Sequence, residues 1–350
     1  MRFLARFCSP IGLVLVTFAL VLISFIPDAL EDRRPEPRGA TQSGTRSALE
    51  GDSPLHTAIE KGDLAAVKVI ITKGADVSER NRRGATPLHA AVSKKGSLAI
   101  TELLVNSGAD INAQNKNGDT PLHAAIYSLR DHTPLDVNRA ASTDSRALVE
   151  LLLAHGADAS ARNHNGEMPL QRAIYSRRTD IVEQLLVHGA VATAPLNDGA
   201  LPLGVAARNG DTKIVELLLA KGADVNQGAA LQAAVRSGNT AMVTLLLTAG
   251  ARTDIRTGWG LTPLHVAAMS NRVAIAQVLI AAGADVKVKN DNGWTPLHYA
   301  SAFCNEDISR MLVAAGADTQ AKDKHGKLPL SCYPGARRPG RDPMHVASCG

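Results

Sequence analysis

A glycine that opens a Gly-Ala-Asp-like word recurs at Gly74, Gly108, Gly156, Gly189, Gly222, Gly250, Gly283 and Gly316, and most steps between neighbours are 33 or 34 residues. A second word, Thr-Pro-Leu-His, stands in register with it at 86–89, 120–123, 262–265 and 295–298, with Ser-Pro-Leu-His at 53–56. Such a period means one supersecondary unit copied along the chain. It replaces a single globular core with a stack in which each copy buries its apolar face only against its neighbours.

In the second unit, Thr86 is an N-cap whose hydroxyl can accept from an orphan backbone N–H, and Pro87 sits at the first helical position, where a missing donor costs nothing. A short helix is predicted from Pro87. Ala90 and Ala91 are small, so this helix can lie close to its counterparts in adjacent units. Ile100, Leu103 and Leu104, at i, i+3 and i+4, predict a second helix with one buried face, and Gly108 supplies its left-handed cap. From Ala109 to Asp119 the chain is polar and turn-forming, with Asn117-Gly118 as a hairpin-tip signal. That segment is expected to project as a finger.

The period and the words resemble the ankyrin repeat over residues 51–334, as eight repeats and a truncated ninth that starts at Leu328-Pro329-Leu330-Ser331 and forms a partial C-terminal cap. The resemblance implies an all-α solenoid of helix-turn-helix units with short β-hairpin fingers, used to bind other proteins and rarely to do chemistry. It also implies that His56, His89, His123, His265 and His298 hydrogen-bond within and between fingers and inner helices. Residues just past the paired alanines of each inner helix, with the finger tips, are implied to line the concave face.

At those positions the chain places Tyr127 and Tyr175 in identical register, then Arg208 and Arg236, with Arg172 one helical turn before Tyr175. Tyrosine and arginine combine large contact area with directional hydrogen bonding, so these five are the expected partner-binding patch. Trp259, near a finger tip, and the basic finger of Arg80, Arg82 and Arg83 extend it. Trp294, beside Thr295, reads as packing.

The units also depart from the pattern. The fourth and fifth carry Met168-Pro169-Leu170-Gln171 and Leu201-Pro202-Leu203-Gly204, without the threonine cap and the histidine, and are expected to be locally softer. From Gly222 to Leu231 is 9 residues where Gly189 to Leu203 is 14, so the intervening finger is clipped by 5 and the row of fingers has a gap. In the third unit, His123 to Gly156 spans 33 residues against 18 from His265 to Gly283, an excess of 15. The extra residues, 129–145, are read as a polar loop between the two helices. Cys304 is expected buried and reduced, with Cys332 pairing to Cys349 if the compartment is oxidising.

Aromatics are 3% of the 350 residues, which suits a core of Ala, Leu, Ile and Val, and the net charge of +5 is spread along the chain and not massed as in a nucleic-acid surface. Eleven histidines show none of the His-Glu-x-x-His spacing of a zinc site, and no nucleophile elbow, phosphate-cradling loop or Rossmann fingerprint is present. No metal, cofactor or catalytic residue is therefore assigned. The rival to an interaction module is a mechanical spacer, or an enzyme or enzyme accessory resting on Asp131, His132 and Asp136 of the insertion.

Ahead of the repeats, Arg2 and Arg6 precede an uncharged stretch, 7–27, whose apolar core runs from Ile11 to Ile26. It reads as a membrane-targeting element within 1–30, and the lack of paired small residues after the core favours an uncleaved anchor over a cleaved signal. The short basic N-tail places the N-terminus in the cytoplasm and the repeats on the periplasmic, lumenal or extracellular side. Residues 31–50 are expected to be a flexible linker, and 335–350 a disordered tail. The expected assembly is a monomer bound to a protein partner.

Overall fold

The computed structural model describes residues 53–93, 98–127 and 139–329, with side chains described in the last stretch from Arg146 onward. The targeting segment, the linker, residues 330–334 of the expected cap, the tail, Cys332, Cys349 and the first part of the insertion, with Asp131, His132 and Asp136, lie outside the described residues.

Among the described residues, sixteen α-helices follow one another as eight pairs. The first, or inner, helices are Pro54–Lys61, Pro87–Ser93, Pro121–Tyr127, Pro169–Tyr175, Pro202–Asn209, Ala230–Ser237, Pro263–Met269 and Pro296–Ala302. The outer helices are Leu64–Thr72, Leu98–Asn106, Arg139–Ala154, Thr179–Val187, Thr212–Ala220, Thr240–Thr248, Val273–Ala281 and Glu306–Ala314. Each inner helix packs on its own outer helix and on the inner helices before and after it, which makes an all-α solenoid of two rows. The reason is columnar: Leu55, Leu88, Leu122, Leu170, Leu203, Leu231, Leu264 and Leu297 all bury against neighbouring units, as do the alanines three residues on. Each outer helix ends where the repeated glycine adopts φ between +84° and +91°, a conformation that glycine alone takes without strain.

The fingers differ from expectation, because no β-strand occurs among the described residues. Among the described residues, five of them are instead tight turns, each wound around one Asn or Asp side chain. Asn81 Oδ1 accepts from the N–H groups of Arg83 and Ala85, both at 3.0 Å, and Asn115, Asn163, Asn290 and Asp323 do the same in their own fingers. A side-chain oxygen that takes two backbone donors does the work of a facing strand, so no ladder is required.

Two further expectations are corrected. The second half of the insertion is helical: the outer helix of the third unit begins at Arg139 and runs for 16 residues where the other outer helices have 9. Residues 139–154 contain neither Gly nor Pro and include Ala140, Ala141 and Ala147, so nothing in them stops a helix. Cys304 is exposed, not buried, because its inner helix ends at Ala302 and the thiol sits in the inter-helix turn at φ +57°.

Candidate partner-binding surface

What holds the units in register decides which residues remain to face a partner. In the units that keep it, the motif histidine is a strut. His89 Nε2 donates to the carbonyl of Asp119 in the next finger at 2.9 Å, while its Nδ1 accepts from the Thr86 backbone N–H at 3.2 Å and lies 2.9 Å from the Thr86 hydroxyl. His56, His123, His265 and His298 reach the carbonyls of Ala85, Glu167, Trp294 and Lys327 in the same way. In His89, His123, His265 and His298 the Nδ1 also accepts from a backbone N–H, and since a carbonyl can only accept and an amide can only donate, both ring nitrogens are fixed in the neutral form. Burial holds His89, His123, His265 and His298 below the usual histidine range, His265 at about 4.

A second row of links runs along the fingers. Arg80 donates to the carbonyls of Gly84 (3.1 Å) and Gln114, Arg162 to those of Gly166 (2.7 Å) and Pro195 (3.1 Å), Arg256 to that of Lys289 (2.8 Å), and Lys289 to that of Lys322 (2.9 Å). Arg80 is thus a joint between fingers, whereas the exposed side chains of Arg82 and Arg83 have no such role among the bonds described, although the Arg83 carbonyl accepts from the Lys116 N–H of the next finger at 3.1 Å.

The expected patch divides likewise. Tyr127 is half-buried, and its hydroxyl donates to Glu167 of the following finger and accepts from the Asn163 amide at 3.2 Å. Arg172 lies over its ring, 4.3 Å from the centroid, and pairs with Glu167 at 3.1 Å. Burial and the Glu167 hydrogen bond push the Tyr127 hydroxyl up. Burial alone would raise the Glu167 carboxyl, yet the Tyr127 hydroxyl and the Arg172 charge together hold it below its ordinary value. This cluster clamps the third unit to the fourth. Tyr175 is 39% exposed and donates to Asp198 at 2.8 Å, the same tyrosine-to-finger contact made at the surface.

Trp259 is 53% exposed and sits at φ +69°, a left-handed conformation that costs a bulky residue on the order of 1 kcal/mol or more. Its carbonyl accepts from the Asp291 N–H at 3.1 Å, so the backbone is locked to the next finger with the indole turned out. Trp294 is packing, as expected: its ring stacks on His298 at 5.8 Å and its indole N–H donates to Asp323 at 3.1 Å.

Arg208 and Arg236 are exposed on consecutive inner helices and line one notch, about 160 Å³ in volume, under the clipped finger. Its geometry involves residues that pattern reading passed over. At Gly204 the histidine strut is gone, and a Cβ there would lie 2.6 Å from the Gly228 carbonyl. The shortened finger therefore drops onto the inner helix. In the flanking units glutamine takes the histidine's place: Gln171 accepts from the Asn197 N–H at 3.1 Å and Gln232 donates to the Ile255 carbonyl at 2.7 Å. The signal was present as Gly204 and the five missing residues read together, since each explains the other.

Among the described residues no group of three or more His, Cys, Asp or Glu side chains is placed to hold a metal, and no helix is long and apolar enough to cross a membrane. A family model described as ankyrin repeats (3 copies) matches residues 55–134, 137–229 and 231–323. No curated protein matches the chain.

Proposed function

Because the chain belongs to the ankyrin repeat family, whose members are typically non-catalytic interaction modules, we propose that it is a protein-binding module which docks its partner on the face carrying Tyr175, Arg208, Arg236 and Trp259. It acts as a monomer, tethered to or exported across a membrane by residues 7–27, with the N-terminus cytoplasmic and the repeats on the far side.

The observation that carries the reading is the division of labour among side chains. The histidines, the Arg80-type joints and the Tyr127–Glu167–Arg172 cluster are consumed in holding the stack, whereas Trp259 and Tyr175 leave large aromatic area in solvent. Exposed aromatic and arginine side chains are what a binding hot spot is built from. The apolar, uncharged run from Ile11 to Ile26 supports the membrane part.

The test is affinity capture with the full chain from its own membranes, wild type against Tyr175→Ala/Trp259→Ala. The double variant should keep its thermal melt and lose partner affinity by roughly 30-fold, on the order of 2 kcal/mol. Equal recovery by both would place the partner elsewhere. The same membranes, washed at alkaline pH, should retain the chain, and a soluble form starting after Ser24 or Ala29 would replace the anchor with a cleaved signal.

A further inference from the structure

The tips of the first three fingers carry charge of one sign, and we infer that they form a docking rail for an extended acidic segment of the partner, with Asp or Glu at every third residue. The inference rests on the interaction reading above and adds where a second contact lies and what chemistry it recognises.

The sequence sorts charge within these fingers. Residues 80–83, 114–117 and 162–165 read Arg-Asn-Arg-Arg, Gln-Asn-Lys-Asn and Arg-Asn-His-Asn, so the tips present Arg80, Arg82, Arg83, Lys116 and Arg162, all exposed, and no Asp or Glu. The carboxylates stand at the finger roots and act locally. Asp76, Asp110 and Asp158 accept from the N–H groups of Ser78, Asn112 and Ser160, Asp119 is buried against the Asn163 amide at 2.8 Å, and Glu167 belongs to the Tyr127 clamp. Glu79, on the ascending limb of the first finger, is the exception, and Ala113 and Ala161 take its place in the next two. Arg80 and Arg162 donate to carbonyls, which are neutral and leave the charge in place. Among the described residues no ion pair joins any of the five cations to a carboxylate. The basic run stops at the fourth finger, where Asp198 stands at the position of Arg83 and accepts from Tyr175, so the rail ends where the proposed partner face begins.

Geometry says what such a run can hold. The Lys116 N–H donates to the Arg83 carbonyl at 3.1 Å and the His164 N–H to the Asn117 carbonyl at 2.9 Å, so the tips are tied to one another by their backbone and little ordering is needed on binding. Packed helical units repeat at about 10 Å, which sets the pitch of the cations. Every third residue of a polyproline II segment falls on one face at about 9 Å, so acids at that spacing meet one finger after another. The exposed amides of Asn117 and Asn165 can pair with backbone groups between the acids. Nucleic acid and lipid fit less well, because these tips offer no Phe, Tyr, Trp or aliphatic side chain to stack on a base or enter a bilayer.

The experiment is selection of a random-peptide display library on the detergent-solubilised full chain, followed by titration of the selected peptides against wild type, Arg82→Glu/Arg83→Glu/Lys116→Glu and Arg82→Gln/Arg83→Gln/Lys116→Gln. None of these three side chains holds a finger, so the thermal melt should be retained. The selected peptides should carry acids three residues apart, and reversal should weaken them by about tenfold or more. Raising the ionic strength from about 0.05 M to about 0.5 M should weaken the wild-type complex in the same direction. The glutamine triple should bind at an intermediate level, because it removes charge without adding repulsion, and this arm decides the matter if reversal disturbs folding. Peptides without acids at that spacing, or that bind the reversed protein equally, overturn the rail and leave the interaction reading standing. A labelled oligothymidylate or a phosphatidylserine vesicle that binds wild type more tightly than any selected peptide assigns the tips to a phosphate surface and also overturns it. A selection that returns no binder overturns both readings.

Discussion

At the scale of single residues, the neutral histidine strut ties stability to pH in a definite direction. In the unfolded chain His265 takes up a proton near its ordinary value of 6.5, whereas burial keeps the folded ring neutral until about pH 4. Between those values the unfolded state binds more protons, so stability is present above about 6.5, falls as the pH drops and stops changing on this account below about 4. At about 1.4 kcal/mol per unit, His265 alone contributes a loss on the order of 3 kcal/mol across that window. His89, His123 and His298 act with the same sign. Carboxylates such as Glu167 and Asp323, held below their ordinary values, act lower, from about pH 4.5 downward, so melts between pH 7 and 5 isolate the histidines. Gln232 already does the strut's work without titrating. His265→Gln should therefore lose less stability than wild type from pH 7.5 to 5. A variant whose melting temperature falls as steeply as that of wild type would show that His265 is not the titrating group.

At the scale of elements, the units were legible wherever local chemistry sufficed. Proline at the first helical position, the Thr-to-His capping boxes seen at Thr262 and Thr295, and the left-handed glycines all follow from neighbours within four residues. What escaped depends on partners farther away. The Tyr127 cluster joins residues 40 apart in sequence, and the fifteen-residue excess hid a helix start because insertion length says nothing of conformation. The notch escaped because Gly204 reads as a loss until the shortened finger is seen resting on it. That compensation predicts an inverted pair of glycine effects. Alanine normally stabilises a helix interior by about 1 kcal/mol relative to glycine. At Gly204 the added Cβ would meet the Gly228 carbonyl at 2.6 Å, so Gly204→Ala should instead cost about 1–3 kcal/mol by forcing the finger off the helix. Ala229, at φ +53°, is the opposite case: Ala229→Gly relieves a left-handed alanine and should leave stability equal or raise it by up to about 1 kcal/mol. Chemical denaturation of the two variants decides the point, and a Gly204→Ala protein more stable than wild type would mean that the finger does not rest there.

At the scale of the whole stack, two kinds of glue make opposite forecasts about where it opens first. If finger hydrogen bonds held the units together, the opening would come at the fifth and sixth, where the joint of Arg80, Arg162, Arg256 and Lys289 is interrupted by Pro195 and the clipped finger. If apolar burial held them, it would come at the first unit. That unit's outer helix, Leu64–Thr72, buries only Val67 and leaves Leu64 40% and Val69 50% exposed, whereas Thr179–Val187 buries five residues. Magnitudes favour burial: a finger bond at the surface contributes about 1 kcal/mol or less net, while each fully buried Leu or Val contributes about 1.5–3 kcal/mol. The inner helices of the fifth and sixth units also share the most extensive helix-to-helix contact in the stack. In a one-dimensional array, local opening follows the weakest neighbour interface. Hydrogen exchange read by mass spectrometry should therefore find amides of residues 64–72 exchanging at least tenfold faster than those of 203–207 and 231–235, with protection continuous across the notch. Fast exchange confined to 203–207 and 231–235 would show instead that the finger links, not the leucine and alanine columns, set the order in which the stack comes apart.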